Sequence, residues 1–99
     1  MIDSKRVEEF PKAMQWLLDH EHEAGCHSSY LRQMIDDQGA YMAARSLMKR
    51  EPRENTLRYL GERNRLDLSV EWQVVEYASA FEIWEVEIAQ ERLRNWRLY

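Results

Sequence analysis

Nine large rings with polar tips constrain this chain more than any other feature: four tryptophans and five tyrosines fall among its 99 residues. A small core cannot enclose Trp16, Trp72, Trp84 and Trp96 together while pairing every indole N–H, so some of them are expected at the surface. At this length the chain makes one domain, residues 1–99, whose elements must share a single apolar interior. Exposed Trp, Tyr and Arg dominate the energetics of protein interfaces. Trp84, Trp96, Arg97 and Tyr99 therefore form a candidate docking patch. Glu87 and Glu91, four apart on one helical face, lie beside it. A carboxylate row of that kind also suits a protein that imitates nucleic-acid phosphates, and a symmetric dimer through the last helix would cover the same patch.

Apolar spacing predicts an all-α fold of four or five helices. Val7, Phe10, Met14, Leu17 and Leu18 recur at helical intervals within residues 4–24, with Trp16 at the edge of the stripe. Pro11 predicts either a helix beginning there or a bend after a short lead-in, and Gly25 ends the segment. Ser28 or Ser29 offers an N-cap to a second stretch burying Leu31, Met34, Ile35, Tyr41, Met42, Leu47 and Met48. Gly39 inside it marks either a break after Asp37 or a close helix contact. Pro52 closes the stretch. A short helix from about Arg53 to Arg63 then buries Leu57, Leu60 and Tyr59, with Asn64 as a left-handed cap. Asp67 or Ser69 caps a fourth helix through Val70, Val74 and Tyr77. Ser79-Ala80-Phe81-Glu82 has capping-box spacing ahead of Ile83, Val86, Ala89, Leu93 and Trp96.

The competing fold is α+β. Val70, Trp72 and Val74 alternate with Glu71 and Gln73, and residues 83–88 are rich in β-branched and aromatic side chains, so 69–88 can be written as a β-hairpin turning at Ala78-Ser79-Ala80. That turn holds no Gly, Asn or Asp, and Ala89-Gln90-Glu91-Arg92-Leu93 continues as a helix without a breaker. The pattern Gly61-x3-Arg65-Leu66-Asp67-Leu68-Ser69-Val70-Glu71, followed by Phe81 and Glu87-Ile88-Ala89-x2-Arg92-Leu93, resembles a segment of small bacterial and phage proteins. The resemblance covers about a third of the chain, with a weaker echo at Gly39-Ala40-x2-Ala43-Ala44-x2-Leu47. It implies helices and carries no activity or site residue.

The net charge of −4 is unevenly spread. Residues 1–44 hold eight acids and four bases, 45–65 three acids and seven bases, and 66–99 seven acids and three bases. Arg45, Lys49, Arg50, Arg53, Arg58, Arg63 and Arg65 in the basic middle are the candidate phosphate contacts if the partner is a nucleic acid. Glu51, Glu54 and Glu62 interrupt them. No apolar run approaches a membrane span, and Met1-Ile2-Asp3-Ser4-Lys5-Arg6 lacks an apolar signal core, so a cytoplasmic protein without membrane partner is expected. Cys26 is the single cysteine and fits a reducing compartment.

The densest group of potential metal ligands is His20, His22, Cys26 and His27. His22 and Cys26 are four apart, but Gly25 intervenes. His20 and His22 point away from each other, and no second ligand pair follows, so no metal or other cofactor is expected. Among Glu71, Glu76, Glu82, Glu85, Glu87 and Glu91, the pair Glu87 and Glu91 shares a helical face with Arg94 three beyond Glu91, as an exposed charge ladder does, which argues against a catalytic pair of acids. The function expected is therefore non-enzymatic: a protein-interaction module binding another protein or itself, such as a phage-encoded inhibitor or accessory factor. A nucleic-acid-associated regulator is the alternative.

Overall fold

Asp3 opens the first helix, its carboxylate accepting the Lys5 N–H at 3.0 Å. In the computed structural model, which describes residues 2–52 and 55–99, helix α1 then runs from Ser4 to His20 with Pro11 inside it on the solvent side. The helix thus starts seven residues ahead of Pro11, because Asp3 already supplies a cap there. Its stripe of Phe10, Met14, Leu17 and Leu18 is buried, as the spacing requires. A 3-10 turn, Glu21–Ala24, follows and stops at Gly25 (φ 77°). Gly25 has a second duty: the Tyr59 hydroxyl lies only 2.8 Å from where a Cβ would stand, and it donates to the Ala24 carbonyl.

Gly39 splits the second stretch into α2, Ser29–Gln38, and α3, Ala40–Lys49. Its φ of 85° with ψ of 160° is a conformation that side chains forbid, and nothing lies within 4 Å of its missing Cβ. Of the two readings of Gly39, the break is the one observed. At the start of α2 neither serine side chain caps. The Glu21 carboxylate instead accepts the Ser28 N–H at 2.8 Å.

Helices α4 (Thr56–Glu62), α5 (Val70–Glu76) and α6 (Ile83–Arg94) complete the fold, giving six α-helices among the described residues and no strand. Residues 69–88 are therefore a helix, a 3-10 turn at Ala78–Ala80 and the start of another helix, not a hairpin. Asn64 takes the left-handed conformation (φ 57°) after α4. Ser69 rather than Asp67 caps α5, its Oγ accepting the Trp72 N–H at 3.1 Å and donating to the Leu66 carbonyl. The capping box of α6 sits three residues beyond the expected one: Glu85 Oε1 accepts the Glu82 N–H at 2.9 Å, while Ser79 belongs to the preceding turn.

Phe10 is the hub of the interior. It meets Tyr41, Tyr77 and Phe81 edge-on, at centroid distances of 6.4, 5.7 and 5.1 Å. Tyr41 donates to the Ala80 carbonyl at 2.6 Å. Ala43 and Ala44 are fully buried and let α3 approach its neighbours closely. Leu60, Leu68 and Ala24 form a smaller cluster beneath α4.

Three ion pairs reach into the interior among the described residues, one of them from Arg32 to the buried Glu21 at 3.0 Å. Glu85 is wholly buried and receives Arg45 Nε at 2.8 Å. Arg92 donates to Glu71 at 3.2 Å and to the carbonyls of Leu47 and Arg50, tying α6 to α5 and to the end of α3. Removing one partner of such a pair leaves an uncompensated buried charge.

Candidate interaction surfaces

Three tryptophans stay in contact with water. Trp16 lies off the buried stripe of α1 and is 41% exposed; Trp72, outside the Val70, Gln73 and Val74 face of α5, is 38% exposed; Trp84 in the first turn of α6 is 42% exposed. Trp16 stacks on His20 with centroids 4.5 Å apart, and His20 Nδ1–H donates to the Trp16 carbonyl at 2.8 Å, which fixes the pair. Trp16 and Trp72 face one open cleft of about 410 Å³, shared with Lys12, Asp67, Glu76 and Tyr77. The Arg6 guanidinium lies 4.1 Å over the Tyr77 ring and donates to the Glu76 carbonyl, closing that side.

The expected C-terminal patch divides in two. Trp84, Glu87 and Glu91 share the outer face of α6, beside Ile83 at 78% exposure. Trp96 turns away in the 3-10 turn Trp96–Leu98 and packs on α4: a Cβ at Gly61 would lie 2.3 Å from two of its ring carbons. Arg97 is stacked 4.3 Å over the same ring, and Tyr99 is half-buried. Trp96, half-buried, thus anchors the last turn to α4. The cleft that Trp16 and Trp72 line together was not foreseen. The signal for it was that each ring sits off its helix's apolar stripe.

Five of the basic residues of the middle segment have partners within the chain. Arg45 serves Glu85; Arg50 donates to the Tyr30 hydroxyl; Arg58 donates to Asn55 at 2.6 Å. Arg63 stacks 3.4 Å over Tyr59, and Arg65 bridges Asp67 and Glu23 at 3.0 and 2.9 Å. Lys49 is exposed, and Arg53 lies outside the described residues. The Arg65 guanidinium holds the Glu23 carboxyl below its usual range, and the hydrogen bond that Arg45 donates to Glu85 raises the Arg45 guanidinium.

Around Cys26, burial and the neighbouring Glu21 push the thiol up. His22 and His27 are exposed, and no group of three or more His, Cys, Asp or Glu side chains is placed to hold a metal among the described residues. No helix of those residues is long and apolar enough to cross a membrane. No protein-family model matches the chain, and neither a curated protein nor a solved structure is detectably similar to it.

Proposed function

We propose that the protein works without catalysis, by docking onto another protein or a second copy of itself through its exposed indoles, the cleft between Trp16 and Trp72 being the centre of the contact. The observation that carries this reading is the division of labour among the rings. Phe10, Tyr41, Tyr77 and Phe81 build the interior, while three of four tryptophans remain 38–42% exposed, two of them at one cleft. Such rings cost solubility in a monomer and contribute most when a partner desolvates them. A chain of this size seated on a larger complex acts sterically, as an inhibitor or accessory factor of the bacterial or phage kind.

The test pairs a Trp16→Ala/Trp72→Ala variant with sedimentation velocity and with affinity capture from a bacterial lysate. Docking through the cleft requires that the variant keep its fold and lose either self-association or a captured partner. A variant that keeps the wild-type sedimentation profile and captures the same proteins sinks the proposal, as does one that no longer folds.

A further inference from the structure

Helices α1 and α5 pack together, and each gives one turn to the cleft between Trp16 and Trp72: Lys12 stands four residues before Trp16, and Glu76 four after Trp72. Trp16 stacks on His20 and not on Trp72, so the space between the two indoles stays open. Gln73, on the buried face of α5, lies at the floor of the same cleft and is only 6% exposed. Its carboxamide has no hydrogen-bond partner among the described residues, and neither indole N–H donates to any of them. The one unpartnered side-chain polar atom sealed from solvent among those residues is Arg32 Nε, so the Gln73 carboxamide holds what surface that residue keeps, and it meets the cleft. A polar group buried to this degree is costly unless something pairs with it, and methionine would fill the same space without that cost. A partner that completes the hydrogen bonds accounts for glutamine there.

The cleft does not favour a charged occupant. Lys12 and Glu76 offset each other, and Asp67 is held by Arg65 at 3.0 Å. A phosphate chain would meet two carboxylates against one ammonium. A polycation would find Glu76 opposed by Lys12 and by the Arg6 guanidinium over Tyr77. What the walls offer instead is two flat apolar faces and a set of donors, because an indole N–H gives a hydrogen bond and cannot take one, and the carboxamide adds two more N–H groups. The complementary chain carries carbonyl acceptors, few N–H donors and flat apolar rings. Proline has all three properties, and a run of prolines already holds the polyproline II form, so an open cleft can seat it at little ordering cost.

We infer that the Trp16–Trp72 cleft binds a proline-rich segment of a partner protein, its pyrrolidine rings lying on the two indoles and its carbonyls accepting from Gln73 and the indole N–H groups. Aromatic-lined grooves that take such segments exploit the same preformed extended shape. The inference rests on the docking reading above, whose partner it names. This chain has only two isolated prolines, Pro11 and Pro52, so a second copy of it does not supply the segment.

Three capped peptides of equal length test it: decaproline, decalysine and an alternating Gly-Ser chain, each titrated into the ¹⁵N-labelled protein and followed through the indole, Gln73 carboxamide and backbone amide signals. Decaproline is expected to shift both indole signals and the Gln73 carboxamide, and to bind about tenfold or more tightly than the Gly-Ser chain. Gln73→Met keeps the volume and removes the donor, so it should weaken decaproline about three- to tenfold while leaving the melting midpoint unchanged or higher. Trp72→Ala, which trims an exposed ring, should remove the response. The assignment is overturned if no shift appears by about 5 mM decaproline, if the shifts fall away from the cleft, if decalysine or the Gly-Ser chain binds as tightly, or if Gln73→Met binds as wild type. Such a failure leaves docking itself standing wherever the Trp16→Ala/Trp72→Ala variant still loses its self-association or captured partner; docking falls only by that separate test.

Discussion

Alanine at Gly61 should destabilise the protein when Trp96 is present and stabilise it when Trp96 is gone. A Cβ at Gly61 would stand 2.3 Å from Cδ2 and Cε3 of Trp96 and 2.9 Å from Cε2. Carbon atoms pack at about 3.5–4.0 Å, so the indole must retreat by more than about 1 Å or leave α4 altogether. Overpacking of this kind costs about 1–3 kcal/mol. Against it, alanine is favoured over glycine inside a helix by about 0.8–1 kcal/mol. The clash therefore outweighs the propensity gain in wild type, for a net loss of up to about 2 kcal/mol. In a Trp96→Ala background only the gain survives, and the same substitution adds about 1 kcal/mol. Urea unfolding of the four proteins, followed by far-ultraviolet circular dichroism, gives the coupling energy directly, expected at about 1–3 kcal/mol. Because about 1 kcal/mol moves the melting midpoint of a domain this size by about 4–8 °C, the reversal is visible in thermal scans as well. Equal effects of Gly61→Ala in both backgrounds would show that Trp96 does not rest on α4.

Three other perturbations read other parts of the structure. Glu85→Ala removes a wholly buried carboxylate, strands Arg45 and opens the first turn of α6, so a loss of about 3 kcal/mol or more is expected in denaturant melts; a loss under about 1 kcal/mol would place Glu85 in solvent. Cys26 has a raised thiol pKa from burial and from Glu21, so its folded-state value lies above the unfolded one. The stability this contributes is whole below the unfolded value and lost as pH rises through the folded one, and iodoacetamide should label native Cys26 more slowly than the urea-unfolded chain at the same mildly alkaline pH. Glu23 is shifted the other way by its hydrogen bond from Arg65, so its contribution is present above the unfolded carboxylate value and lost as pH falls through the folded one. The difference in melting midpoint between wild type and Arg65→Gln should accordingly shrink on acidification, and a difference that stays constant down to about pH 2 would remove the Glu23–Arg65 bridge.

The helices were legible because their signals are local. The stripe of Phe10, Met14, Leu17 and Leu18, the left-handed Asn64 and the Ser69 cap each depend on neighbours a turn away. Pro11 left open whether α1 begins there or follows a helical lead-in, and the lead-in is what forms, because Asp3 caps the helix upstream. The α6 cap was misplaced because Glu82 is an unusual capping residue, whereas Ser79 looked orthodox. What stayed hidden was the choice of rings. Whether Phe10 gathers Tyr41, Tyr77 and Phe81 or the tryptophans depends on packing between distant segments, which periodicity does not encode. The same holds for Trp96, although Gly61 inside α4, in ordinary helical conformation, was a trace of the ring resting on it. The Trp16–Trp72 cleft arises only when helices far apart in sequence are brought side by side.

The exposure of the indoles in the folded chain is open to direct measurement by ¹⁹F NMR of the 5-fluorotryptophan-labelled protein, dilute enough to be monomeric, with a soluble paramagnetic reagent added. Single Trp→Phe variants assign the four resonances. Trp16, Trp72 and Trp84 should broaden strongly while Trp96 is protected against α4. Four equally protected resonances, or a protected Trp16 and Trp72, would mean that the isolated fold already encloses the rings assigned to docking.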